Sequence, residues 1–462
     1  MTLHHNGGSS TCVVAPVELS PYPQKPDTAK TPSLRIDQTS RDADPVETLP
    51  SPTTQPAAKL ERWNESPTNL CRTAAAFWSF VVMGSNDAAY GALIPYLQEY
   101  YSLSFIVISL VFLSPLVGYT ASALLNNTIH LRWGQRGVGL LAPTCHLVPY
   151  IVIALHPPYP VLVVIFMLAG FGNGLADAAW NAWMGAMANP NEVLGFLHAF
   201  YGVGAVLAPL IATTMITRAH LPWFAFYYVM IGMAVLELGS SGAAFWRADA
   251  RAFRDANPRT GEGKDNRMKE AVMRLPYARV TWCCALFFLG YVGVEVALGG
   301  WIVKFMLEVR EGGAFASGMT ATGFWMGITV GRVVLGFVTP RIGEKLAIAI
   351  YLPLTMALEL VFWLVPQFYV SAVAVALQGF FLGPLFPAAV VAATKLLPRH
   401  LHVSAIGFAA AIGGSGAAIF PFAVGAIAQA KGVQVLQPVI LALLGCILGI
   451  WLCLPRFHKK QE

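Results

Sequence analysis

Apolar runs long enough to cross a bilayer follow one another along most of the chain, separated by short polar or basic turns. About 20 apolar residues in a helix span the roughly 30 Å hydrocarbon core of a membrane. On that pattern, helices are predicted near residues 72–97, 104–127, 138–155, 160–187, 192–217 and 222–246. After a polar stretch, six more are predicted near 279–306, 314–339, 344–365, 368–397, 401–429 and 433–455. The fold class implied is an all-α membrane protein of twelve transmembrane helices in two six-helix bundles. The expected organisation is a tail over 1–70, bundles over 71–246 and 279–455, a solvated linker over 247–278 and a short tail over 456–462. Residues 1–70 hold ten of the 31 prolines and almost no aromatics, a composition expected to stay disordered.

Charge placement checks the helix count independently. With the N-terminus cytoplasmic, the loops on that side carry Arg132 and Arg136, nine basic residues from Arg247 to Arg279, Arg341 with Lys345, and Lys395 with Arg399. The C-terminal tail adds Arg456, Lys459 and Lys460, while the opposite loops hold only Arg218, Arg310 and Lys431. This is the positive-inside bias of an even number of crossings. Both termini and the linker are therefore expected in the cytoplasm, in a multi-pass protein of the plasma membrane or an organelle membrane.

Composition agrees and removes other classes. Of 462 residues, 56% are hydrophobic and 12% charged, and the mean hydropathy is +0.58. Soluble domains carry about 25% charged residues. The net charge of +6 reflects topology, so no nucleic acid is expected as a partner. The seven cysteines form no CxxC or ligand cluster, which argues against a disulfide framework or a zinc site. No apolar signal-peptide core precedes residue 70, so the first membrane helix is expected to direct insertion. A Gly-rich phosphate loop, a nucleophile elbow and an ATP-binding motif are all missing from the sequence. No enzyme, cofactor or primary pump is expected.

Polar residues inside the apolar runs carry the functional signal. In Gly170–Gly185, Asn173, Asp177 and Asn181 fall at i, i+4 and i+8, forming one stripe on a helix. A carboxylate at a membrane helix centre costs about 2.5–3.5 kcal/mol on insertion scales, so it normally faces the bundle interior or water. Gly170 and Gly174 would let a second helix approach closely. The stripe either lines a cavity or bonds neighbouring helices. The two halves also repeat. Arg132-Trp-Gly134-Gln-Arg136 and Arg341-Ile-Gly343-Glu-Lys345 are offset by 209 residues, as are Gly170 and Gly174 from Gly379 and Gly383. Gly204 and Pro209 share their spacing with Gly416 and Pro421. A duplicated six-helix unit is a transporter architecture, with its site between the halves near mid-membrane.

The helix count, the central linker and the basic Arg-x-Gly-x-[Arg/Lys] turns together resemble the major facilitator superfamily. Within it the chain is most similar to the fucose permease-like branch. Asn86-Asp87 resembles that branch's helix-1 pair, and Gly172-x-Gly174-x-x-Asp177-x-x-x-Asn181 resembles its helix-4 run with Asp replacing Glu. Tyr291-Val-Gly-Val-Glu295-Val-Ala-Leu-Gly-Gly-Trp301 resembles the helix-7 signature of eukaryotic members. The long Pro-rich tail suggests a eukaryotic, fungal member. Where bacterial members place Gln ahead of Phe-Asn in helix 5, this chain has His198-Ala-Phe200-Tyr201. The resemblance implies proton-coupled sugar uptake, with Asp87 and Asp177 as proton-coupling carboxylates.

Asp87 lies roughly 22 Å along its helix, with no basic residue within reach on that helix to pair with it. It reads as a proton carrier or as a packing partner. Glu295 is a third coupling candidate, or else a partner for Lys304 or Arg332. Substrate contacts are expected from Asn86, Asn173, Trp180, Asn181, His198, Tyr201 and Trp301, and gating from Arg132, Arg136, Arg332 and Arg341. His146, Glu237 and Glu359 read as structural. The function expected is proton-coupled symport of a sugar-like small molecule by alternating access, with protons, the substrate and the bilayer as partners of a monomer. Proton-driven efflux of an apolar metabolite and a non-transporting nutrient receptor are the rivals.

Overall fold

A computed structural model describes residues 61–256, 264–398 and 401–455. The tails over 1–60 and 456–462 and the middle of the linker lie outside the described residues. The elements among the described residues are helical throughout. The first helix, α1 (Pro67–Tyr100), begins where the Ser66 side chain accepts from Asn69 N–H and Pro67 fills the first turn. It therefore starts before residue 70, where the tail was expected to end. The residues ahead of it are packed too: Ala188 N–H donates to the Glu61 carbonyl, and Trp63 meets Phe196 edge-on.

Ten helices among the described residues are long and apolar enough to cross a membrane. One of them, Phe105–Ala154, runs 50 residues, about 75 Å if straight. It is broken at Gly134 (φ 68°, ψ −162°) into α2 (110–133) and α3 (135–154). Counting both arms, and adding α1 with its polar Asn86-Asp87, accounts for the twelve crossings expected. Hydropathy placed a loop over 128–137, yet helix continues almost to Gly134. Residues such as His130 and Arg132 end a membrane run without ending helical backbone. Only glycine fits the bend, because a Cβ at 134 would lie 2.3 Å from the Asp249 backbone.

The rest follow as α4 (Tyr159–Gly185), α5 (Pro190–Thr217) and α6 (Phe226–Phe245), then two short linker helices, Ala250–Ala256 and Lys264–Met273. The second half has α7 (Tyr277–Glu308), α8 (Ala314–Ile342), α9 (Glu344–Leu364), α10 (Phe368–Leu396), α11 (His402–Lys431) and α12 (Leu436–Leu452). The expected single helix over 368–397 is two pieces, Phe368–Leu382 and Leu385–Leu396, which together form α10. Pro384 and Pro387 explain the break. Neither carries an N–H, so the carbonyls of Phe380 and Gly383 lose their donors four residues on.

The internal repeat is physical as well as textual. A Cβ at Gly118 of α2 would lie 1.9 Å from the Met167 carbonyl and 2.4 Å from Phe171 N. At Gly327 of α8 it would lie 2.0 Å from the Ala376 carbonyl and 3.0 Å from Phe380 N. All three pairs are 209 residues apart, so both halves use the same glycine to seat the same helix. Similarly, Gly204 of α5 packs on Val81 and Ser85, and Gly416 of α11 on Leu289 and Gly293. That register makes Glu295 on α7 the counterpart of Asp87 on α1.

Helix alternation gives the molecule a basic end, holding the Gly134 and Gly343 bends and the linker, and a far end. Contacts between halves gather at the far end and at mid-depth. Trp301 of α7 lies 5.9 Å from Phe105 and 6.0 Å from Phe112, Ile106 N–H reaches Gln429 at 3.4 Å, and Arg218 stacks on Phe315 at 4.3 Å. At mid-depth Gly202 of α5 meets Thr329 of α8.

Candidate substrate and proton site

Two clusters of polar side chains face the middle of the molecule, one from each half. The first centres on Asp87. Its Oδ1 accepts from Asn86 Nδ2 at 3.0 Å and from Asn173 Nδ2 at 2.9 Å, and its Oδ2 accepts from the Tyr201 hydroxyl at 3.0 Å. Helices α1, α4 and α5 thus each supply one neutral donor. Hydrogen bonds to a charged acceptor contribute about 1.5–3 kcal/mol each, enough to hold a carboxylate without a cation.

The α4 stripe divides. Four-residue spacing overshoots a full turn by about 40°, so the stripe rotates by about 80° over eight residues. Asn173 is fully buried toward α1, whereas Asp177 and Asn181 are half-buried and bond each other, Nδ2 to Oδ1 at 2.8 Å. Trp180 points elsewhere. It is buried and stacked on Phe245 of α6 at 4.4 Å, with Trp183 at its edge, so its expected place beside the substrate path is replaced by helix packing. Trp301 departs in the same way: its Nε1 donates to the Pro421 carbonyl at 2.9 Å, and the ring lies in the far-end seal.

The second cluster holds Glu295 and Arg332, paired at 2.8 Å. Lys304 is committed to Glu308 at 2.7 Å, which decides the partner of Glu295. Arg332 Nε also donates to the Gly383 carbonyl at 3.2 Å, one of the two acceptors stranded by the α10 prolines. Its guanidinium therefore ties α7, α8 and α10 together. Half-buried Tyr201 lies close enough to Asp87 and Glu295 to feel both charges, and His198 close enough to feel Arg332. His198 also meets the Phe80 ring edge-on at 5.7 Å.

The basic turns lie apart from both clusters. Arg136 donates its backbone N–H to the Ala248 carbonyl and covers the Trp246 ring, while Lys345 Nζ and Trp451 Nε1 make the matching tie to the end of α12. These contacts stay within one half. Arg132 and Arg341 are exposed.

The Major Facilitator Superfamily model matches residues 76–365 and 298–462. The chain belongs to that superfamily. Bypass of stop codon protein 6 of Saccharomyces cerevisiae is 31% identical over 409 residues, spanning 83% of this chain and 82% of its own. The glucose/mannose transporter GlcP of Bacillus subtilis is 23% identical over 354 residues, or 75% and 85% of the two chains. The crystal structure of the superfamily transporter FucP in its outward conformation matches with a TM-score of 0.59 at 16% identity, covering 84% of this chain and 99% of that one. That last likeness is one of fold. The protein is thus a multi-pass membrane transporter of the superfamily, similar to sugar transporters.

Three tyrosines near the clusters were not among the expected site residues. Tyr119 of α2 feels the charges of both Asp87 and Asp177, Tyr90 bonds Asn86 at 3.3 Å, and Tyr291 lies beside the Glu295–Arg332 pair. Tyr90 and Tyr291 sit four residues from Asn86 and Glu295, on the same helix faces, and that spacing was legible. Among the described residues no three His, Cys, Asp or Glu side chains gather to hold a metal ion.

Proposed function

We propose that the protein is a proton-coupled symporter of a sugar-like molecule, a single chain working by alternating access with its basic end in the cytoplasm. The observation that carries this reading is Asp87: a mid-membrane carboxylate held by three neutral donors, with no cation bonded to it among the described residues. Such a group can take and release a proton without breaking an ion pair. Asn86, Asn173, Asn181, Tyr201 and His198 offer uncharged donors and acceptors suited to hydroxyl groups. Asp177 adds a second carboxylate, close enough to Asp87 to feel its charge. Glu295 and Arg332 supply a fixed, self-neutralised pair on the opposite wall. Trp301, Phe105 and Phe112 pack together across the halves at the far end, the contact that alternating access would have to open. The glucose/mannose naming of one relative supports a hexose.

Uptake of labelled glucose and mannose into proteoliposomes, with and without an imposed pH gradient, tests the proposal. Accumulation only with the acidic side outside is expected. Hexose-independent efflux of an apolar dye, or no flux of any solute, would favour the rival readings and overturn this one.

A further inference from the structure

Behind Asp87, inside the first half, lies a second group of titratable side chains. Glu237 of α6 accepts from the Ser79 hydroxyl at 2.6 Å and meets His146 Nδ1 of α3 at 2.8 Å. His146 and Glu237 are both fully buried. With Glu237 as a carboxylate, Nδ1 carries the ring proton and Nε2 the lone pair. Among the described residues Nε2 has no hydrogen-bond partner. The ring edge bearing Nε2 rests on Gly172 of α4, where a Cβ would lie 2.8 Å from it. The next residue, Asn173, holds Asp87, and Asp87 lies close enough to His146 to feel a charge on its ring.

We infer that His146 is a second proton-binding station, sharing one coupling proton with Asp87 while Glu237 and Ser79 orient it. This rests on the proton-coupled reading above. A proton leaving the Asp87 carboxyl bonds to His146 Nε2. Asp87 becomes a carboxylate held by Asn86, Asn173 and Tyr201, and the new imidazolium is balanced by the Glu237 carboxylate at Nδ1. The net charge of the half is the same before and after, so the transfer adds no uncompensated charge to the interior. The other titratable groups around the station are Asp87 and Tyr90 on α1, Tyr150 on α3, stacked on the imidazole at 6.2 Å, and Tyr227 on α6. The tyrosines are neutral in both states, so Asp87 is the proton's donor and acceptor.

Proteoliposomes holding the full chain, with labelled glucose or mannose as probe, give the test. Gradient-driven accumulation and equilibrium counterflow are each measured per reconstituted protein across external pH. A one-unit gradient drives 1:1 symport to about tenfold accumulation, and an uncoupled carrier only to about one. His146→Gln and Glu237→Gln are expected to keep counterflow, lose most of that accumulation and displace the pH profile by about one unit. Gly172→Ala, whose Cβ would crowd both the imidazole edge and the Ala142 carbonyl at 2.9 Å, should act in the same direction, provided that surface protein is unchanged. Wild-type accumulation and pH profile in His146→Gln overturn the inference. If His146→Gln fails to reach the membrane, Gly172→Ala and Glu237→Gln decide; loss of all three from the membrane marks the group as packing and also overturns it. Asp87→Asn in the same assay separates the two claims. If it still accumulates hexose, the coupling reading itself fails; if it does not while His146→Gln does, only the second station falls.

Discussion

At the scale of single residues, the carboxylates and the tryptophans give opposite lessons. Asp87 accepts three hydrogen bonds from neutral side chains. Asp87→Asn keeps the shape while removing the titrating group. It should abolish concentration of hexose against a gradient and leave counterflow partly intact, since exchange needs no net proton release; a normally concentrating variant would reduce Asp87 to packing. Asn181 is half-buried, with its Nδ2 bonded to Asp177. Asn181→Ala should weaken apparent affinity by a few-fold to tenfold, the effect of about 0.5–1.5 kcal/mol from one hydrogen bond. Trp180 should behave differently. Trp180→Ala removes a buried ring stacked on Phe245, at a cost of about 3–5 kcal/mol, so it should lower protein abundance while the affinity of surviving protein is unchanged. Hexose affinity and surface protein, measured together, distinguish the two. The existence of these residues was legible because polar groups stand out in an apolar run. The direction of the tryptophans was not, because it is set by Phe245 and Pro421, 65 and 120 residues away in sequence.

At the scale of elements, hydropathy located the membrane segments because each is a long apolar run between basic turns, a strong signal at low cost in assumptions. It misjudged what the backbone does beyond the bilayer, at Gly134, and within an apolar run broken by prolines, at Gly383-Pro384. Those two breaks depend on local donors and dihedral angles, which hydropathy averages away. The α10 break has an energetic consequence for α7 and α8. Arg332 satisfies both Glu295 and the carbonyl stranded by Pro387. Removing one member of a buried pair costs about 3–5 kcal/mol because the survivor is left uncompensated. Arg332→Met should therefore sharply reduce the midpoint of thermal unfolding in detergent. The double variant Arg332→Met/Glu295→Gln should recover much of that loss. Equal melting of the single and double variants would show that the pair is not energetically coupled.

At the scale of the whole molecule, two halves with one glycine register close around unlike chemistry: a neutral-donor carboxylate in the first and a self-neutralised ion pair at its counterpart position in the second. The duplication was legible in the 209-residue offset, but the pairing of Asp87 with Glu295 required the contacts of Gly204 and Gly416. Such an arrangement transports only if the far-end seal opens. Trp301, Phe105 and Phe112 close it with aromatic surface, and Ser109 of the turn before α2 lies against Gly425 of α11, where a Cβ at 425 would sit 2.9 Å from the Ser109 Cβ. A small outward relaxation brings that separation to the roughly 3.8 Å typical of a disulfide. Ser109→Cys/Gly425→Cys, oxidised, should lock the far end and stop hexose uptake, and a reducing agent should restore it. Neither single variant should respond to oxidant, which separates the cross-link from the native cysteines such as exposed Cys71 and Cys446. Full uptake by the oxidised double variant, with the cross-link verified by mass, would mean that transport does not pass through opening of this seal. The alternating-access reading would then have to be abandoned.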